Sequence, residues 1–147
     1  LRSFLRDAYG QPGWSTTTRH LTHELVVEQP ITTTEATVSL WRSDTSYTTS
    51  SRYAWNVLLH FDDGTNVADV DLACRCWGNS EGCPNNYVEA SDGSAEGSDG
   101  TMWLHYTVTI PPEIDRSGFT LSLIHRQDAW DGTTAESTIY FDGISIP

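Results

Sequence analysis

The stretch "YAWNVLLHFDDGTNVADVDLACRC", residues 53–76, decides the fold class of this chain. Its two arms, Tyr53–Phe61 and Val67–Cys76, are rich in Val, Leu and aromatic residues and flank "FDDGT" at Phe61–Thr65. Strand-like runs on either side of a tight Asp-Gly turn predict an antiparallel hairpin. Side chains of a strand alternate between two faces. In Tyr53–Phe61 the parity of Val57, Leu59 and Phe61 is the more apolar, which leaves Asn56 and His60 opposite.

The same period of two recurs along the chain. Candidate strands are Leu21–Glu28, Ala36–Arg42, Met102–Ile110, Phe119–Arg126 and Thr138–Ile146, beside the two arms of the hairpin. Helix signals are scarce, and turn residues interrupt the chain at roughly dozen-residue intervals, the pattern of a sandwich or barrel. "TIPPEIDRSG" (Thr109–Gly118) reads as a corner, because Pro111 and Pro112 end one strand and Gly118 precedes the next. The spacing is too irregular for a propeller. The expectation is all-β: one domain over residues 1–147, folded as an antiparallel two-sheet β-sandwich. Gly78–Gly100, rich in Gly, Ser and acidic residues, reads as a loop that is long for a compact domain.

Composition narrows the partners. The formal net charge is −12, and all eight basic residues are arginine. Nucleic acid and anionic membrane surfaces both need a basic footprint, so neither is an expected partner. No stretch is apolar enough to span a bilayer. The opening "LRSFLRDAYG" lacks the continuous apolar core of a signal peptide and there is no initiating Met, which reads as a mature fragment or excised domain. Cys74, Cys76 and Cys83 lie together in "CRCWGNSEGC". Either Cys76–Cys83 or Cys74–Cys83 would staple a short loop, whereas reduced structural cysteines are the alternative. A disulfide implies an oxidising compartment, and the expectation is a secreted or extracellular monomer.

Alternation also sorts the polar and aromatic residues. In Met102–Ile110 the apolar set is Leu104, Tyr106, Val108 and Ile110, opposite Trp103 and His105. Val38 and Leu40 oppose Trp41, and Leu121 and Leu123 oppose Arg126. The outward set is then Trp41, Asn56, His60, Trp103, His105 and Arg126. Indole rings stack on the apolar faces of sugars, and Asn, His and Arg hydrogen-bond hydroxyls or a carboxylate. That composition suits a glycan-binding surface. Trp130, between Asp128 and Asp131 in "QDAWDGTT", would add a ligand rim.

The closing stretch "STIYFDGISIP" (Ser137–Pro147) carries a conflict. On strict alternation Asp142 shares a face with Ile144 and Ile146. Two resolutions compete. Gly143 allows a bulge that turns the carboxylate outward and resets the parity of the isoleucines. Otherwise the carboxylate stays at the sandwich edge, compensated by a cation.

"FLRDAYGQPGW", "VSLW", "WNVLLHFDDGT", "WLHYTVTIP" and the terminal "IYFDGISI" resemble, in order, the galactose-binding-like jelly rolls, and more narrowly the carbohydrate-binding modules of bacterial polysaccharide-degrading enzymes. The cysteine loop and the acidic Gly/Ser insertion depart from that pattern. The resemblance implies a jelly roll that binds polysaccharide or oligosaccharide without chemistry. It also implies a structural Ca²⁺ near the closing strand, with Asp142 as ligand and Glu24 or Glu28 as the second, the N-terminal strand often pairing beside the last. It favours the cation over the bulge.

Two other classes remain in view. Asp69 and Asp71 share a face about 7 Å apart, and His60, His105 and Arg126 could form a lyase-like set, so a sandwich-fold lyase or glycosidase is one alternative. A structural surface or fibre subunit, suggested by the Thr-rich "STTTR" and "ITTTE", is the other.

Overall fold

The computed structural model describes residues 2–8, 19–26, 30–48, 53–77, 87–89, 91–129 and 134–146. Among them the chain forms strands and no helix. The strands are β1 (Arg2–Ala8), β2 (Arg19–Val26), β3 (Thr37–Thr48), β4 (Tyr53–Asp62), β5 (Val67–Trp77), β6 (Tyr87–Glu89), β7 (Gly93–Glu96), β8 (Met102–Thr109), β9 (Thr120–Ala129) and β10 (Thr134–Ser145). All seven expected strands are present. β1 was not anticipated, and β6 and β7 correct the reading of Gly78–Gly100 as a loop.

Sheet A has the order β1-β10-β3-β8-β7 and sheet B the order β2-β9-β4-β5-β6, antiparallel throughout. The expected hairpin is β4–β5, with Phe61 opposite Ala68. From β1 to β4, and again from β8 to β10, the chain changes sheet at each step. That crossing is the jelly-roll arrangement of an antiparallel sandwich.

The inward parity fills a core between the sheets. Val38, Leu40, Val108 and Phe141 of sheet A meet Val57, Leu59, Phe61, Leu121 and Leu123 of sheet B, with Phe119 tilted against Phe61 at 5.9 Å between ring centroids. A bulge in β5 adds Leu72 to this core, because the register slips between Val57 and Leu58. The corner after β8 is tied to the β4–β5 turn through Asp63. Its carboxylate accepts the backbone N–H groups of Asn66 (2.6 Å), Thr65 (2.8 Å) and Asp115 (2.8 Å). The bond from Asn66, followed by those from Asp115 and Thr65, holds this carboxyl far below the usual carboxylate range.

Toward the other end the core turns polar. Arg42 continues the inward parity of Val38 and Leu40 and is only 1% exposed. Its guanidinium donates to the Tyr106 hydroxyl (3.0 Å) and to the Asp44 carboxylate, and stands over the rings of Trp55 (5.4 Å) and Tyr106 (5.6 Å). An unpaired charge could not sit there, and these partners offset its desolvation. Trp55 Nε1 is buried without a hydrogen-bond partner among the described residues. Across the same interior, Ser137 donates to Gln127 Oε1 (2.6 Å) and so accepts from His125 Nε2 (2.7 Å). This chain links β10 of sheet A to β9 of sheet B. Burial, followed by the nearby His23, depresses the His125 pKa to about 3, so the ring is neutral.

The conflict in the closing strand resolves as a bulge. Gly143 has φ +56, and the register of β10 against β3 shifts between Asp142 and Ser145. Ile139 and Phe141 point inward, Tyr140 and Asp142 outward. Past the shift Ile144 and Ile146 pack on the core. Asp142 is exposed and accepts the Gly143 N–H at 2.8 Å. A solvated carboxylate needs no cation to compensate burial, which removes the physical motive for the metal reading.

Candidate functional site

The inner faces meet in one core, so the outer faces of the two sheets point away from each other. The residues expected to form a single outward surface are divided between them. Trp41, Trp103 and His105 are on sheet A; Asn56, His60 and Arg126 are on sheet B. This corrects the expected constellation, and it also separates His105 from the other members of the lyase-like set. Trp130 lies outside the described residues.

On the outer face of sheet A one cross-strand row runs Asp142, Trp41, His105, Gly93, across β10, β3, β8 and β7. One glycine lets an indole settle. A Cβ on Gly143 would stand 3.1 Å from Trp41 Cδ1, so the indole lies close against the bulge. A Cβ on Gly93 would stand 3.5 Å from His105 Cβ, an ordinary contact, so that position does not require glycine. The Trp41 and His105 rings are 4.8 Å apart at their centroids and tilted by 56°. His105 Nδ1 is fixed by the Asp92 carboxylate at 2.6 Å, which leaves Nε2 as the ring's remaining polar atom. Hydrogen bonds from Thr107 and then from His105 hold the Asp92 carboxyl below its usual range. Trp103, two residues before His105, is the diagonal neighbour of Trp41, on the order of 7–8 Å away across the face. Its Nε1 lies 3.2 Å from where a Gly97 Cβ would stand, and Asp99 Oδ1 lies 3.0 Å from the same point. Both indoles are half-buried.

Sheet B presents a different surface. Across β5 and β4, Asp69 sits opposite His60, and the carboxylate meets His60 Nδ1 at 2.6 Å. Arg126 is opposite Asn56, four residues along β4 from His60, yet its guanidinium reaches to 3.9 Å from Asp69. The arginine therefore crosses the row that holds Leu58 and Ile124, and both of these outward apolar residues are buried. Asp71, the carboxylate paired with Asp69 in the glycosidase reading, lies in that row opposite Leu58 and is exposed. On this face His60 and Arg126 both turn toward Asp69, beside a small apolar strip.

Of the proposed metal ligands, Asp142 and Glu24 are not brought together. Asp142 is on the outer face of sheet A, in the row of Trp41 and so beside the aromatic surface. Glu24 is on the outer face of sheet B, opposite Ile124. The strand that pairs beside the last is β1, whereas β2, which carries Glu24, pairs with β9. Glu28 lies outside the described residues. Among the described residues no group of three or more His, Cys, Asp or Glu is placed to hold a metal ion. Cys76 belongs to β5, and Cys83 and the expected bridge lie outside the described residues.

Asp92 and Asp99 escaped sequence reasoning because acids in turns are ordinary. The one available signal was position: Asp92 directly precedes Gly93, in a stretch that pairs back onto β8 and delivers the carboxylate to His105. No family model, curated protein or solved structure matches the chain.

Proposed function

We propose that the chain is a non-catalytic glycan-binding module whose binding surface is the outer face of sheet A. The observation that carries this reading is Trp41 laid against the Gly143 bulge, with His105 braced by Asp92 on one side and Trp103 on the diagonal. A rigid strand face presents these rings at low conformational cost, and a sugar ring can stack on an indole while the remaining His105 nitrogen meets a hydroxyl. The ligand is a polysaccharide or oligosaccharide long enough to lie across two indoles. Calcium forms no part of the proposal: Asp142 and Glu24 face opposite ways, and Glu28 lies outside the described residues. The test is a glycan array with the wild-type chain and with Trp41→Ala and Trp103→Ala. Binding that both variants weaken supports the module, and binding that survives both overturns it.

The braced His105 would also suit a proton-abstracting base, which keeps a polysaccharide lyase as the second reading. Release of unsaturated ends from an array ligand, lost in His105→Ala while binding persists, would replace the module with the enzyme.

A further inference from the structure

We infer that the Trp41 face selects glycans bearing protonated amino groups, such as polymers of a 2-amino-2-deoxyhexose, over neutral and acidic ones. This rests on the glycan-binding reading and adds the charge class of the ligand.

Each indole on the face has a carboxylate beside it. Asp142 is the cross-strand neighbour of Trp41, is exposed, and accepts the Gly143 N–H. Asp99 and Trp103 Nε1 converge on the same point above Gly97. Behind His105 stands Asp92, on the far side of Trp41 from Asp142. Asp99 is kept ionised chiefly by the backbone N–H of Thr101, and Asp92 by Thr107 and His105. Arg2, on the edge strand β1, stands over Tyr140 at 5.9 Å from the ring centroid. Tyr140 is two residues from Asp142 on the same face of β10, so this cation borders the Asp142 end of the row, whereas Trp103 on β8 lies three strands from β1. The chain as a whole carries −12. A uronate or sulfated glycan would meet like charge at both rings. A neutral sugar would stack but leave the carboxylates solvated. An ammonium group next to a stacked pyranose gains both a carboxylate and the negative face of the indole. The arginine that suggested an acidic glycan from sequence, Arg126, is on the other sheet and turned toward Asp69.

The experiment is calorimetric titration of the intact chain with four oligomers of equal length: a β-linked glucosamine hexamer, its fully N-acetylated counterpart, cellohexaose and a galacturonate hexamer. It is run on the acid side of neutrality in dilute buffer and again in about 1 M salt, where the Debye length shrinks to about 3 Å. The glucosamine hexamer should bind about tenfold more tightly than the N-acetylated and neutral oligomers. That advantage should collapse in high salt and in the double variant Asp99→Asn, Asp142→Asn. The galacturonate should bind weakest. Trp41→Ala retains every charge, so it separates a site from diffuse attraction of a polycation; the inference requires that it too lose the glucosamine hexamer. Equal binding of the amino, acetylated and neutral oligomers overturns the charge class and leaves the glycan reading standing. Glucosamine binding that persists in Trp41→Ala overturns the inference as diffuse attraction. Failure of all four to bind overturns both.

Discussion

The two outer faces of this sandwich are built from similar parts and differ in what those parts are free to do. Each carries a histidine whose Nδ1 lies 2.6 Å from an aspartate, Asp69 on β5 in one case and Asp92, just before β7, in the other. On sheet B that aspartate is also approached, at 3.9 Å, by Arg126, whose side chain spans the Leu58 row, so two cationic or donor groups gather on one carboxylate over an apolar strip. On sheet A the partnered histidine stands against an indole, and that indole rests on a glycine bulge. One arrangement closes a surface and the other leaves an aromatic platform. Residue types alone do not distinguish a binding face from a self-satisfied one.

The largest expected effect separates the faces directly. Trp41→Ala should weaken glycan binding by about thirtyfold or more, the scale of a central aromatic anchor. Arg126→Ala and Asn56→Ala should leave the affinity within about threefold. The check is titration of all three variants with whichever glycan the array identifies. An affinity that follows Arg126 instead would move the site to sheet B.

This division was not legible in the sequence, for a geometric reason. Period-two alternation separates inward from outward on each strand, and it placed Val38, Leu40, Leu59, Phe61, Leu121 and Leu123 correctly inside. It says nothing about which sheet a strand joins, because jelly-roll crossovers are set by long-range pairing. Outward residues of β3 and β4 therefore looked like one surface. Arg42 hid in a similar way. As the last residue of the expected strand Ala36–Arg42 it was assigned to neither face, but β3 continues to Thr48 and carries the guanidinium into the interior. β7 gave no signal at all, since Gly93–Glu96 is exposed along its whole length and has no apolar parity to detect. The Gly143 bulge was legible as one of two options, and the preference for a cation came from family resemblance rather than from the residues.

The interior shared by both faces should weaken in mild acid. His125 is neutral when folded, with its pKa depressed from 6.5 to about 3, while the unfolded chain takes up a proton near 6.5. Between these values the unfolded state binds more protons, so stability falls as pH falls through the window, by up to about 1.4 kcal/mol per pH unit, and levels off below the folded pKa. Chemical denaturation at steps from pH 7 to pH 4 should show that slope, and His125→Gln should flatten it. A slope unchanged in the variant would assign the acid sensitivity elsewhere.

Next in size is the support beneath Trp41. Gly143→Ala places a side chain at φ +56 and 3.1 Å from the indole. Gly64→Ala is the matched control, with φ +81 and open space around the new methyl. Both should cost about 1–2 kcal/mol in stability from the left-handed backbone. Only Gly143→Ala should also reduce glycan affinity, by several-fold, because only there must the ring shift. Equal affinities in the two variants would show that the indole does not depend on the bulge.

The smallest expected effect is the closure of sheet B itself. His60, Asp69 and Arg126 are all solvent-exposed to a substantial degree, and exposed ion pairs contribute about 0–1 kcal/mol. A double-mutant cycle on Arg126→Ala and Asp69→Asn should therefore return a coupling below about 1 kcal/mol in unfolding free energy. Arg126→Ala alone should cost somewhat more than its charge accounts for, because its stem covers the row of Leu58 and Ile124. The informative comparison is Arg126→Met, which keeps an apolar stem and loses the charge. If methionine recovers most of the lost stability, the arginine serves sheet B as cover for an apolar strip, and the contrast with the open platform on sheet A is sharpened. Recovery with lysine and not with methionine would show that its charge matters more than its cover, and would reopen this face as a site for an anionic ligand.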